Sequence, residues 1–153
     1  MRDPFSLGQP LLRLLLSVTT SESATLTILS VISVIDDDAS VRAATNNLLR
    51  SHGYNVCTFA SAEEFLQSAH LNDTSCVIAD VQMSLMSGLD LLTTMRGQGY
   101  RQPFIFITAF PDERIRARAL KAGAIGFLAK PFAAPALIAC LDTALGHRRE
   151  GDA

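Results

Sequence analysis

The chain has no tryptophan, only three cysteines, and just nine glycines and six prolines in 153 residues. Cys57, Cys76 and Cys140 lie in apolar or helical stretches without a CxxC partner, which excludes a disulfide scaffold and a zinc ribbon. Unpaired thiols suit a reducing compartment, so a cytoplasmic location is expected. No basic run exceeds Arg148-Arg149, and 13 Lys and Arg against 15 Asp and Glu leave a net charge of −2. That balance argues against a nucleic-acid surface. No apolar stretch reaches membrane-spanning length. LLRLLLSV, residues 11 to 18, is short and broken by Arg13. A secretory leader is not expected either, because Glu22 falls in SESA, where a cleavage site wants small residues. Tandem repeats and low-complexity tracts are absent. With 48% hydrophobic residues, what remains is one globular domain, preceded by an extension over residues 1 to 26 and followed by a tail over 147 to 153.

From residue 27 onward, apolar runs alternate with helical patterns. TILSVISVI (27–35) predicts a first strand from its β-branched content. Asp38 is the expected cap of a helix over 41 to 52, ended by Gly53. YNVCTF (54–59) is a second strand, and Ser61 with Glu64 has the capping-box spacing for a helix through Ala69. CVIAD (76–80), FIFIT (104–108) and IGFLA (125–129) are further strands. Helices are expected over Gly88 to Met95, from Pro111 to the stop at Gly123, and from Ala133 to Leu145. Five such units predict an α/β fold: a doubly wound, five-stranded parallel sheet covered by five helices on both faces. In such sheets ligands bind beyond the carboxyl ends of the strands.

The strand ends are therefore the place to look for chemistry. The first strand ends in Asp36-Asp37, the third in Asp80, the fourth in Thr108, and the fifth runs into Lys130. Carboxylates brought together repel, and a hard divalent cation removes the conflict. Mg²⁺ takes oxygen ligands, whereas zinc would want His or Cys, and His52, His70 and His147 lie at helix ends or in the tail. Carboxylates, Mg²⁺, a hydroxyl and an ammonium make a phosphoryl-transfer site, in which an aspartate can be the nucleophile.

At this point the residues carry a resemblance. IDD (35–37), ADVQM with MSG (79–88), FIT (106–108) and FLAKPF (127–132) together resemble the receiver domain of bacterial two-component response regulators. The resemblance covers about residues 28 to 146, and its spacing is closest to receivers fused to helix-turn-helix output domains; the receiver boundary is set at 27 to 146. It implies the sheet order 2-1-3-4-5 of the CheY-like, flavodoxin-like fold and a cis bond between Lys130 and Pro131. It further implies Asp80 as phospho-acceptor and a Mg²⁺ site made by Asp36, Asp37, Asp80 and the backbone carbonyl of Gln82. Thr108 becomes the switch hydroxyl, Lys130 the catalytic lysine and Phe127 the switch aromatic. The implied phosphoryl source is a histidine kinase or a histidine phosphotransfer protein. The implied output is a downstream protein on the face of helix four, strand five and helix five, with a homodimer allowed through that face.

Two positions depart from the pattern. Ser84 stands where a proline is usual, which loosens the loop after Asp80, and Phe110, two residues past Thr108, is bulky enough to shield a phosphoryl group from water. Arg114, Arg116, Arg118 and Lys121 make helix four basic, which suits an acidic protein partner. GHRREGDA after the last helix is too short for an output domain, so the sequence reads as a stand-alone receiver, a signalling domain rather than a turnover enzyme. Two rivals stand beside this reading. Asp36, Asp38 and Ser40 also match the D-x-D-x-[ST] of haloacid-dehalogenase-type phosphatases, but PFAAPALIAC after Lys130 lacks their second acidic pair and Asp80 is left idle. The other rival is a degenerate receiver that binds partners without phosphorylation.

Overall fold

The computed structural model describes residues 30 to 146, so the expected extension and tail, and residues 27 to 29 of the first strand, lie outside the described residues. Strands β1 (Val31–Ile35), β2 (Asn55–Phe59), β3 (Thr74–Asp80), β4 (Phe104–Thr108) and β5 (Gly126–Ala129) alternate with helices α1 (Ala39–Ser51), α2 (Ala62–Leu66), α3 (Gly88–Gly97), α4 (Glu113–Lys121) and α5 (Ala134–Ala144). All strand pairs are parallel and the sheet order is β2-β1-β3-β4-β5, as expected. Among the described residues no helix is long and apolar enough to cross a membrane.

Each central strand is apolar on both sides because helices cover both sides. In β4, Phe104 and Phe106 join one core with Phe65 of α2, Leu91, Leu92 and Met95 of α3, and Ala119 of α4. Ile105 and Ile107, pointing the other way, join Leu49 of α1 and Leu137 and Leu141 of α5. Right-handed crossovers then sort α1 and α5 to one face and the other helices to the opposite face. The chain reverses its winding between β1 and β3, which opens the crevice at their carboxyl ends.

Local chemistry explains where the boundaries differ from expectation. Asp38 caps α1 through Ser40 N–H at 2.9 Å, starting the helix at Ala39 instead of 41. Pro111 is not in the first turn of α4: Asp112 is the cap, its side chain accepting from Arg114 N–H at 2.7 Å, and Pro111 precedes it. Helix α2 stops three residues early. Ser68 donates to the Phe65 carbonyl at 2.8 Å and accepts from His70 N–H at 3.2 Å, competing for groups that a further turn would use. The Ser61–Glu64 pair makes half of a capping box, since Glu64 reaches back to Ala60 N–H instead of the cap residue. A full box forms at Ser87 and Asp90, opening α3. Strand β3 begins two residues early at Thr74, past an irregularity in its register with β1, where the Thr74 and Ser33 hydroxyls bond at 2.7 Å. The Gly53 and Gly123 stops are in place, both with positive φ, at 90° and 109°.

Candidate phosphoryl-transfer site

Four of the five strands deliver a polar side chain to one rim. Asp36 follows β1 and is fully buried; Asp80 ends β3 and is 6% exposed; Thr108 ends β4 and is 1% exposed. Burying two carboxylates without partners would be prohibitive, and Lys130, just past β5, is the partner. Its Nζ lies 2.9 Å from Asp36 Oδ2 and 3.1 Å from Asp80 Oδ2. Lys130 N–H also donates to the Thr108 carbonyl at 2.7 Å, and its bond to Pro131 is cis. Asp37 is exposed, yet carboxylate oxygens of Asp36, Asp37 and Asp80 all lie within 4.8 Å of one another.

The remaining bonds orient these groups. Asp36 Oδ1 accepts from Asp38 N–H at 2.9 Å, and Arg42 Nη1 donates to the Asp36 carbonyl at 2.6 Å. Asp80 Oδ1 accepts from Gln82 N–H at 3.1 Å, fixing the start of the next loop. Thr108 Oγ1 accepts from Phe110 N–H at 3.1 Å. Asp38 is spent as a helix cap, which removes the general acid that a dehalogenase-type phosphatase would need.

Burial pushes the Asp80 carboxyl above the usual range; the Gln82 amide and Lys130 pull it back down, and the charge of Asp36 adds to the rise. Burial works against the charge of Lys130, but contact with Asp36 and Asp80 outweighs it and raises the ammonium. One positive charge thus faces three negative ones. Asp36 Oδ2 is buried against the Lys130 ammonium, 2.9 Å away. Three carboxylates sharing a single ammonium, in an all-oxygen cluster, fit a hard divalent cation of the Mg²⁺ type.

The comparisons with known proteins point the same way. Residues 32–142 match the family model described as the response regulator receiver domain. The chain belongs to that family. It is 43% identical over 103 residues to nodulation protein W of Bradyrhizobium diazoefficiens, covering 67% of this chain and 45% of that one. It is 39% identical over 121 residues to the transcriptional regulatory protein TdiR of Thauera aromatica, covering 79% of this chain and 53% of the other. The receiver thus spans about half the length of the curated relatives it matches. Among solved structures, a response regulator receiver domain protein from Clostridium thermocellum superposes with a TM-score of 0.72 at 30% identity, over 77% of this chain and 95% of its own. Full-length FixJ from B. japonicum superposes with a TM-score of 0.70 at 38% identity, over 78% of this chain and 59% of its own. Receivers of this family are signalling domains of two-component systems that work with histidine kinases and downstream effectors.

Sequence reasoning brought Asp36, Asp37, Asp80, Thr108 and Lys130 to one rim, and there they meet. It missed the Arg42 bond to the Asp36 carbonyl and the reason for Gly88. A Cβ at Gly88 would strike the Asp80 carbonyl oxygen and come within 2.8 Å of the Phe106 ring, so α3 can start this close to the end of β3 only with glycine. Phe127 is half-buried and lines a hollow of about 260 Å³ with Pro111, Asp112, Glu113, Arg116 and Ala129.

Proposed function

We propose that Asp80 accepts a phosphoryl group from a phosphohistidine of a histidine kinase or histidine phosphotransfer protein, with Mg²⁺ held by Asp36, Asp37, Asp80 and the Gln82 carbonyl. The observation that carries this reading is the Lys130 ammonium 3.1 Å from Asp80 Oδ2, beside two further carboxylates within 4.8 Å. An Asp80 oxygen forms the new P–O bond while the P–N bond to the donor imidazole breaks and its electron pair leaves with the ring. Mg²⁺, when bound, supplies neutralising charge to the transferring oxygens. Lys130 holds the acceptor carboxylate in place and offsets the charge that arrives. Water then attacks phosphorus and restores Asp80, so the domain labels and clears itself and turns over no external substrate.

A phosphoryl group brings about −1.5 to −2 charges and three acceptor oxygens. The Thr108 hydroxyl, at the end of β4, donates to one of them, and Phe127 turns into the space released. The face of α4, β5 and α5 is remodelled, a local charge biasing a two-state element. The cations Arg114, Arg116, Arg118 and Lys121 favour an acidic protein partner there, and the same face can serve a homodimer. The reading concerns the domain of residues 27 to 146 and applies whether it acts alone or beside an output module. Three free thiols, at Cys57, Cys76 and Cys140, support placing it in the cytoplasm.

The test is incubation with Mg²⁺ and a small acyl phosphate, read by intact mass, for the wild-type chain and Asp80→Asn. One phosphoryl gained by the wild type alone supports the reading. No gain in the wild type makes the domain a degenerate receiver, and steady release from a phosphate ester revives the phosphatase.

A further inference from the structure

We infer that Glu63 is a positioning residue for the loop after Asp80: its carboxylate grips the backbone of Met86 and so sets the path of the chain that carries the Gln82 carbonyl. This rests on the reading of that carbonyl as a metal ligand. The loop from Val81 to Ser87 lacks the usual proline, having Ser84 instead. Its turn residue Leu85 sits at φ 67° with 89% of its surface exposed, so neither backbone preference nor packing holds it there. Gly88 N–H closes the loop onto the Val81 carbonyl at 2.9 Å, and Gln82 N–H bonds Asp80 Oδ1. Those bonds fix the two ends. The far limb is tied from α2, where Glu63 Oε2 accepts from Met86 N–H at 3.1 Å across 23 residues of sequence.

A charged acceptor makes this stronger than a neutral bond. It is also an expensive way to hold a loop. The second oxygen, Oε1, is buried with no hydrogen-bond partner, which costs stability. Glu63 sits in the first turn of α2, where a carboxylate is favourable, and from there its other oxygen fixes the loop geometry beside Asp80. Outer groups of this kind, which orient a ligand without touching the metal, typically change metal affinity by about 10- to 100-fold.

The experiment uses the full chain, with Mg²⁺ alone as probe by titration calorimetry and hydrogen exchange at the Met86 amide by NMR. In the wild type the Met86 amide is protected despite its exposed loop. In Glu63→Ala it exchanges freely and Mg²⁺ binds about 10-fold more weakly. Glu63→Gln, which keeps a carbonyl acceptor, restores both. An unprotected Met86 amide in the wild type overturns the inference without any variant having to fold. So does Glu63→Ala binding Mg²⁺ as tightly as wild type, or Glu63→Gln behaving like Glu63→Ala. A wild-type chain that binds no Mg²⁺ at all overturns the parent reading as well, and so is told apart from failure of the inference alone.

Discussion

Lys130 Nζ stands 3.1 Å from Asp80 Oδ2 although 50 residues separate them in the chain. The contact joins the end of one interior strand to the start of the loop beyond an edge strand, and it sets a positive charge against the buried Asp80 carboxylate. Lys130→Ala leaves Asp36 and Asp80 buried without their counter-charge. Urea titration in the presence of a chelator is expected to show a loss of about 3 kcal/mol, with part recovered on adding Mg²⁺. The variant should also acquire its phosphoryl group more slowly than wild type.

Asp37 behaves in the opposite sense. It is exposed and helps crowd three carboxylates within 4.8 Å. Asp37→Asn relieves repulsion, so without metal the protein should gain up to about 1 kcal/mol. Its Mg²⁺ affinity should fall together with that gain. Equal stability and unchanged affinity would separate Asp37 from the site.

Gly88→Ala should be costly at a position that looks like an ordinary helix start. The added methyl meets the Asp80 carbonyl oxygen and the Phe106 ring, two groups that cannot retreat. Overpacking of this kind costs about 1–3 kcal/mol. Denaturant midpoints read the cost, and the displacement of Asp80 should appear as weaker Mg²⁺ binding.

Phe110 is 69% exposed at the rim, with its backbone N–H on Thr108 Oγ1. Phe110→Ala removes side chain only, so stability should change by less than about 0.5 kcal/mol. If the ring screens the phosphoryl group from water, decay of the phosphorylated mass should quicken several-fold. A decay no faster than wild type ends that idea.

The thiols give a pH-dependent readout of packing. Burial pushes the Cys76 thiol up to about 12, leaving roughly one thiolate in ten thousand at pH 8. Cys57 and Cys140 are half-buried and raised in the same direction by burial. A disulfide reagent at pH 8 should therefore modify Cys57 and Cys140 first, and Cys76 only under conditions that unfold the sheet. Early modification of Cys76 would contradict its place in the core.

The strand order came only with the family resemblance, whereas the parallel sheet and the meeting of Asp36, Asp80, Thr108 and Lys130 were legible because each residue sits where an apolar run stops, and parallel strands stop on the same side. A pattern local to five residues was enough. The early end of α2 was not legible, because Ser68 decides it by bonding backbone groups, which hydrophobic spacing does not encode. The tie from Glu63 to Met86 was hidden for another reason. It depends on a tertiary approach between α2 and a loop 23 residues away. Asp38 was readable as a cap from its place before a helix, and Gly88 only as part of a motif, since what it avoids lies on another strand.

Three of the turns at the opposite rim are shaped by residues without side chains: Gly53, Gly99 and Gly123 hold φ values of 90°, 92° and 109°. The chemical rim is shaped instead by side-chain ties and one leucine at φ 67°. The two ends of the sheet therefore age differently under mutation. Around Gly99, where an added side chain would meet no atom within 4 Å, an insertion should leave phosphoryl uptake alone, whereas a comparable lengthening near Leu85 would reach Asp80 directly.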